Sequence, residues 1–530
     1  MLWLLACTRP ASETGLEWVA VELTSSGPRT CARPELRDDT PYVQWSLGPE
    51  WDDQPWQNDA GGQFSAGGVV VADFDGQHGP DVFMPHHDGS RLYLSQPDGT
   101  WKQEKLWLPL GAAAAWVVGG AAADFDGDGD LDLYEVHVYE ADRLLRNEGD
   151  HFVDVTASAG LSDEAEDGTS ATWADLDCDG DLDLLVNNHR EDESLGDEMI
   201  HGGMGPAQPN RAWRNLGDGT FESFGQELPT TWSDAFTFVS VVEDLTGDGV
   251  PDIYAANDFG PHFQPNTLFA GPDWVEVVDT GAEVPVYAMG VGLGDLNDDG
   301  WSDMLITSWG ELALLISDGA GGWFRGEEAW GLHREEEQQA SWASELADLD
   351  NDGDLDALVV FGALRMPGEA GEDIEEALGL VNPAAQPDGV WLNEGGHFTP
   401  VAPEWGLDQD GRGRGLEVVD LNGDGWLDQI KRQQDGPGVA MIAQCGEASW
   451  LGVRLSQPGM NPDAVGAVVT VNGQPRVIRA GGHSFGGSVP PEVHVGLGDV
   501  DVADIHVLWP DGSESLVEDV DARQYVTLTR

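Results

Sequence analysis

The stretch DFDGDGDLD at 124–132 places carboxylates at its first, third, fifth and ninth positions: Asp124, Asp126, Asp128 and Asp132. Glycines at 127 and 129 permit a chain reversal that other residues resist. Alternate side-chain oxygens then converge, and the carbonyl of Asp130, at position seven, can join them. Carboxylates held this close repel unless something neutralises them. A hard dication does so, and calcium accepts about 6–8 oxygen ligands in flexible geometry.

The same pattern starts at Asp73, Asp124, Asp175, Asp244, Asp295, Asp348 and Asp420, at intervals of 51, 51, 69, 51, 53 and 72 residues. A near-constant spacing with two longer steps reads as one structural unit repeated seven times, with two insertions. Solvated turns would not need Asp at position nine each time. An EF-hand loop begins similarly but needs Glu at position twelve and helices on both sides. Here position twelve is Met84, Glu135, Val186, Ala255, Ile306, Val359 and Lys431, so one copy complies. The flanks, VVVADFDG and LDLLVNN, are strand-like.

The elements that must hold such bends follow from the flanks. A second repeat, LYLSQPDGTW, LLRNEGDHF, AWRNLGDGTF and VWLNEGGHF, lies roughly twenty residues after most loops and carries hairpin-turn signals. Each unit then holds two hairpins, hence four strands. Seven such units predict a seven-bladed β-propeller, an all-β fold. The 70 glycines and 30 prolines fit many short strands joined by tight turns.

The nine-residue loops resemble FG-GAP/VCBS repeats, the calcium loops of integrin α-chain propellers. Residues 450–530, with WLGVRL, NPDAVGAVVTV (Asn461–Val471), AGGHSFGGS, VHVGLGD (Val493–Asp499) and IHVLWPDGS (Ile505–Ser513), resemble the ASPIC/UnbV domain. That domain follows an FG-GAP propeller in the cartilage acidic protein family and its bacterial relatives. The resemblance runs over nearly all of the chain from about residue 60. It implies a secreted or surface calcium-binding protein with no settled enzymatic activity.

Ligand roles carry over loop by loop. The first takes Asp73, Asp75, Gln77 and Asp81, and the second Asp124, Asp126, Asp128, Asp130 and Asp132. The third takes Asp175, Asp177, Asp179, Asp181 and Asp183, and the fourth Asp244, Thr246, Asp248, Val250 and Asp252. The fifth takes Asp295, Asn297, Asp299, Trp301 and Asp303, and the sixth Asp348, Asp350, Asp352, Asp354 and Asp356. The seventh takes Asp420, Asn422, Asp424, Trp426 and Asp428. Gln77 and Thr246 depart from the pattern, so the Asp73 and Asp244 loops are expected to bind more weakly. Up to seven calcium ions are expected as the cofactor.

Five residues past each position-nine Asp lie His86, His137, Asn188, Asn257, Ser308, Phe361 and Gln433, with His87, His189, Asp258 and Trp309 as neighbours. One strand length separates these from the loops, which puts them on the opposite face. In integrin-like propellers that face receives ligands. Polar loop starts with no partner, a rim for a protein or glycan, and a transition-metal or catalytic centre are the three readings. The insertions at 187–215 and 361–390 overhang the same face.

Other chemistry is poorly supported. Gly482-His483-Ser484-Phe485-Gly486 spells G-x-S-x-G, but Pro490 and Pro491 forbid the helix a nucleophile elbow needs. No HExxH occurs, and no lysine follows glycine as a Walker A loop requires. With 97 acidic against 24 basic residues, a net charge of −73, binding to nucleic acid or anionic lipid is opposed. Hydrophobic residues at 40% and 22 tryptophans exclude global disorder.

Leu4-Leu5-Ala6-Cys7 looks like a bacterial lipobox with Cys7 as its acylated residue, although only six residues precede it and none is basic. Export is the expectation, as a cell-surface or outer-membrane lipoprotein or a secreted protein. A Cys31–Cys445 bridge would join early and late segments. The apolar run Leu106–Ala123 contains Pro109 and Gly111 and reads as strand–turn–strand rather than a membrane span. Residues 1–7 then form a signal remnant and 8–60 an N-terminal segment that closes the propeller. Residues 61–447 form the propeller and 448–530 the ASPIC/UnbV-like β domain. The leading expectation is a non-enzymatic, calcium-stabilised recognition or adhesion protein, and the rival is an exported metalloenzyme using the histidine-bearing face.

Overall fold

A computed structural model of the chain describes residues 18–29, 42–45, 67–85, 90–104, 107, 116–161, 164–189, 206–332, 339–363, 386–434 and 438–530. His86, His87, Cys7, Cys31 and most of both insertions lie outside the described residues.

Seven antiparallel four-stranded units follow one another along the chain. Blade one runs through Val70–Ala72, Asp81–Met84, Arg91–Ser95 and Trp101–Gln103. Blades two to six repeat the order, with innermost strands Trp116–Ala123, Glu166–Ala174, Thr237–Glu243, Ala288–Gly294 and Ser341–Ala347. Blade seven supplies Gly413–Val419, Asp428–Gln433 and Val439–Ala443, and its outermost strand is the early segment Tyr42–Trp45, paired antiparallel with Val439–Ala443. The outermost strand of blade seven thus comes from the N-terminal part of the chain. Glu22–Ser25, from the same early stretch, instead joins the tail domain beside Gln524–Thr529.

Neighbouring blades pack face to face, and this is why their strands are apolar on both sides. In Asp132–Glu140, Leu133 packs with Val70, Phe74 and Phe83 of blade one. Its neighbour Tyr134 packs with Trp173 and Phe221 of blade three. The seam between blades seven and one is built likewise, from Ile430, Ala440 and Ile442 against Val69, Val71 and Val82. The apolar run expected to be strand–turn–strand ends in the inner strand Trp116–Ala123, and no described helix is long and apolar enough to cross a membrane.

The tail folds as two four-stranded sheets, one of Glu22–Ser25, Gln524–Thr529, Ser449–Ser456 and Glu492–Gly498, the other of Gln474–Val477, Val468–Val471, Val502–Leu508 and Glu514–Asp521. Cys445, just before it, is disulfide-bonded. The tail is not an appendage on a tether. Its segment 480–488 enters the middle of the ring: Ala480 and Gly481 pair with Trp173 and Thr172. Ser484 exchanges backbone hydrogen bonds with Val291, at 2.9 and 3.2 Å, and Ser488 does so with Val69 and Val71. Inner-strand glycines make room for it. A Cβ on Gly68 would stand 1.9 Å from the Gly486 carbonyl oxygen, closer than any side chain permits.

Candidate metal centres

All seven loops join the first strand of a blade to the second, and all share one backbone plan. The position-five N–H donates to the position-one carboxylate, at 3.0 Å in Gln77→Asp73, 3.2 Å in Asp128→Asp124, 3.0 Å in Asp179→Asp175 and 3.0 Å in Asp248→Asp244. The same bond is 3.1 Å in Asp299→Asp295, 3.1 Å in Asp352→Asp348 and 3.0 Å in Asp424→Asp420. Left-handed backbone at Gly127, Gly129 and their counterparts, φ 73° and 97° in this loop, closes each bend.

Position nine does a second job. Asp132 accepts from the Phe125 N–H at 3.3 Å with one oxygen and from the Asn147 N–H at 2.8 Å with the other. Asp81, Asp183, Asp303, Asp356 and Asp428 repeat this tie between their loop and the blade's third strand. Asp252 does so through Thr246 and Gly271. The asparagine of the second repeat, read from sequence only as a turn residue, stitches blades. Asn147 donates to the Phe74 carbonyl of the preceding blade at 2.8 Å, and Asn215 to that of Phe125 at 3.0 Å.

In four loops three carboxylates come within 4.8 Å of one another: Asp73, Asp75 and Asp81; Asp124, Asp126 and Asp132; Asp175, Asp177 and Asp183; Asp348, Asp350 and Asp356. In the other three, position three is Thr246, Asn297 or Asn422, a neutral oxygen donor. One oxygen each of Asp126 and Asp177, and the Thr246 hydroxyl, are buried without a hydrogen-bond partner among the described residues. This is the donor set and the unmet demand that a hard cation fits.

The electrostatics agree. Burial first, and neighbouring loop carboxylates second, push Asp175 up to about 7. Burial likewise raises Asp81 to about 8, and Asp303, Asp348 and Asp420 to about 7. Asp124 is raised to about 6. A guanidinium intrudes in loop three, where Arg214 Nε lies 2.8 Å from Asp177 Oδ2.

The tail sits on this same side of the ring. Tyr525 Oη donates to Asp420 Oδ2 at 2.8 Å, the Gly496 N–H donates to Asp348 Oδ2 at 3.0 Å, and Gly498 N–H donates to the Asn351 carbonyl at 2.8 Å. Two position-one carboxylates are therefore also contacts for the tail, which nothing in the repeat pattern foretold.

On the opposite side, Asn188, Asn257, Ser308, Phe361 and Gln433 each end the second strand of their blade, as the spacing required. Their side chains, however, serve the fold. Asn188 donates to Glu166 and the Pro209 carbonyl, and Asn257 to the Pro265 carbonyl. His137 is buried beside Glu135, with Nε2 3.4 Å from Oε2. His189 stacks on Phe238, with ring centroids 4.7 Å apart, and its Nε2 is 3.3 Å from Asp258 Oδ2. Trp309 lies edge-on to Tyr287. A contact rim needs exposed side chains, and His137, Asn188, His189, Asn257 and Asp258 are all buried. Ser484 is fully buried and its Oγ donates to the Leu416 carbonyl at 2.8 Å, so the G-x-S-x-G stretch is part of segment 480–488, the plug of the ring, and not an elbow.

Two family models match parts of the chain. Residues 457–530 match the ASPIC and UnbV family, and residues 73–135 and 295–359 match the FG-GAP-like repeat. Cartilage acidic protein 1 of Mus musculus is 24% identical over 513 residues, spanning 88% of this chain and 72% of the relative. The Homo sapiens protein of that name is 24% identical over 510 residues, spanning 88% and 71%. A solved Agrocybe aegerita lectin, described as recognising non-reducing terminal N-acetylglucosamine, is 18% identical at a TM-score of 0.38, over 63% of this chain and 79% of its own. The chain carries FG-GAP-like repeats and an ASPIC/UnbV domain, and is related to the proteins named cartilage acidic protein 1.

Proposed function

We propose that this is an exported calcium-binding β-propeller that catalyses no reaction and works in extracellular or cell-surface recognition. The observation that supports it most is the convergence of the position-one, -three and -nine carboxylates in four loops of identical backbone plan. Positions one, three, five and nine, with the position-seven carbonyl, would hold each ion. Calcium neutralises oxygens that otherwise repel, and so stiffens the hairpin that each loop closes. The Asp73 and Asp244 loops, with Gln77 and Thr246, would hold it less tightly.

Extracellular modules bind calcium at about 0.1–1 mM. At about 1 mM free calcium, a 0.1 mM site adds about 1.4 kcal/mol by mass action. Several such sites together rival the stability of a whole domain. Cytosolic calcium is far too low for this, which fits export, by lipid anchoring at Cys7 or by secretion. The relatives are named for a tissue matrix and for acidity, and the acidity is shared. A protein or glycan partner would meet exposed surface other than the positions of His137, Asn188, His189, Asn257 and Asp258, which are buried.

Thermal melts in millimolar calcium and in excess chelator test the reading. A midpoint several degrees higher with calcium is expected. Identical midpoints, together with no calcium in elemental analysis of the calcium-equilibrated protein, would remove it.

A further inference from the structure

The plug brings an imidazole into the ring. His483 Nδ1 lies 3.4 Å from the Gly481 carbonyl oxygen, to which it can donate. Its Nε2 then presents a lone pair, and two carboxylates face it: Glu417 Oε2 at 3.3 Å and Glu345 Oε1 at 3.6 Å. Glu345 stands on the inner strand of blade six and Glu417 on that of blade seven. Glu417 is entirely buried. Neither of its carboxylate oxygens, nor Oε1 of Glu345, accepts a hydrogen bond among the described residues. The nearby Arg479 guanidinium is turned to Glu243 instead. Two carboxylates and a nitrogen lone pair thus meet in the interior, an arrangement that burial penalises heavily unless a cation joins it.

We propose that Glu345, Glu417 and His483 bind one divalent transition-metal ion, which pins the tail's plug into the propeller channel. Ligand atoms about 2.0–2.2 Å from a tetrahedral ion stand about 3.3–3.6 Å apart, which the two measured separations match. Imidazole nitrogen with two carboxylates suits zinc, manganese or iron, whereas calcium takes oxygen alone. A backbone carbonyl accepting from the far ring nitrogen is the usual partner of a ligating histidine, since it fixes the tautomer that aims the other nitrogen at the metal. Glu345 and His483 line a cavity of about 460 Å³ between ring and tail, edged by Glu243, Trp301, Arg476 and Arg479. The cavity gives an ion a route in and water a place in the coordination shell. Burial raises Glu345 to about 8 and Glu417 well above the ordinary carboxylate range, so the competing occupant of the site is protons. The site is separate from the seven loops and stands whether or not they hold calcium.

The test uses the full chain, stripped of metal, returned to millimolar calcium and equilibrated with micromolar zinc, manganese or cobalt in turn. The expected result is one ion per chain above the calcium content, with cobalt giving the visible absorption of a nitrogen–oxygen site. Glu417→Gln and His483→Gln should each abolish that uptake while leaving calcium content and circular dichroism unchanged. Zinc should raise the melting midpoint of the parent protein and leave both variants unmoved. Glu417→Gln keeps the shape and removes a buried charge, so it folds without the ion. Failure of the parent chain to take up any of the three ions overturns the proposal and leaves the triad protonated. Equal uptake by parent and both variants overturns it too.

Discussion

At the scale of single residues, the repeat pattern was readable because chemistry fixes it. Oxygen-bearing side chains at positions one, three, five and nine recur in the sequence, and the structure brings positions one, three and nine together in four loops. What the pattern hid is that its members are not equivalent. Asp132 accepts from two backbone donors, one of them fifteen residues away on another hairpin, and no local spacing reveals such a partner. Asp126 keeps an oxygen with no partner among the described residues. The two should therefore differ in calcium-free buffer. Asp132→Ala is expected to destabilise the chain by about 3 kcal/mol in calcium-free buffer, the worth of the two lost hydrogen bonds, and by about 1.4 kcal/mol more in millimolar calcium. Asp126→Ala should be neutral within about 0.5 kcal/mol in calcium-free buffer and lose about 1.4 kcal/mol in millimolar calcium. Urea unfolding of both variants under both conditions decides it. A calcium-independent loss for Asp126→Ala would mean that position three is structural as well.

At the scale of elements, Tyr42–Trp45 supplies the outermost strand of blade seven, and four strands per unit and seven units followed from two interleaved repeats. The plug did not. AGGHSFGGS resembles a tail-domain stretch in sequence, yet its contacts are with the inner strands of all seven blades, at Val71, Gly119, Trp173, Phe238, Val291, Glu345 and Leu416, tens to hundreds of residues upstream. Glycines on those strands are the only local trace, and a glycine in a strand signals close backbone approach without saying of what. Gly290 shows the tightness: a Cβ there would stand 2.4 Å from the Trp342 carbonyl oxygen and 2.5 Å from that of Ser484. Gly290→Ala is expected to destabilise by about 1–3 kcal/mol, the range for forcing atoms into a filled interior. Gly225→Ala, whose Cβ would find its nearest neighbour at 3.6 Å, is the control and should change stability by under about 0.5 kcal/mol. Equal midpoints for the two in chemical denaturation would mean the plug is loosely held.

At the scale of the whole molecule, a net charge of −73 is gathered in part onto one side of a ring, in loops of which the tail contacts those of Asp348 and Asp420. Carboxylates raised by burial bind protons in the folded chain that the unfolded chain, titrating near about 3.9, has already released. Asp175, Asp303, Asp348 and Asp420, at about 7, and Asp81, at about 8, all shift in this direction. Each contributes the same sign: without a cation, folded stability is greatest below the unfolded value and is lost as pH climbs from about 4 to about 8. Calcium reverses the logic, because it binds the ionised form and displaces those protons. Calcium-free protein should therefore show a lower urea midpoint at about pH 8 than at about pH 5, and millimolar calcium should restore the midpoint at the higher pH. A calcium-free midpoint that rises between those two pH values would mean the loop carboxylates are already neutralised by the protein itself.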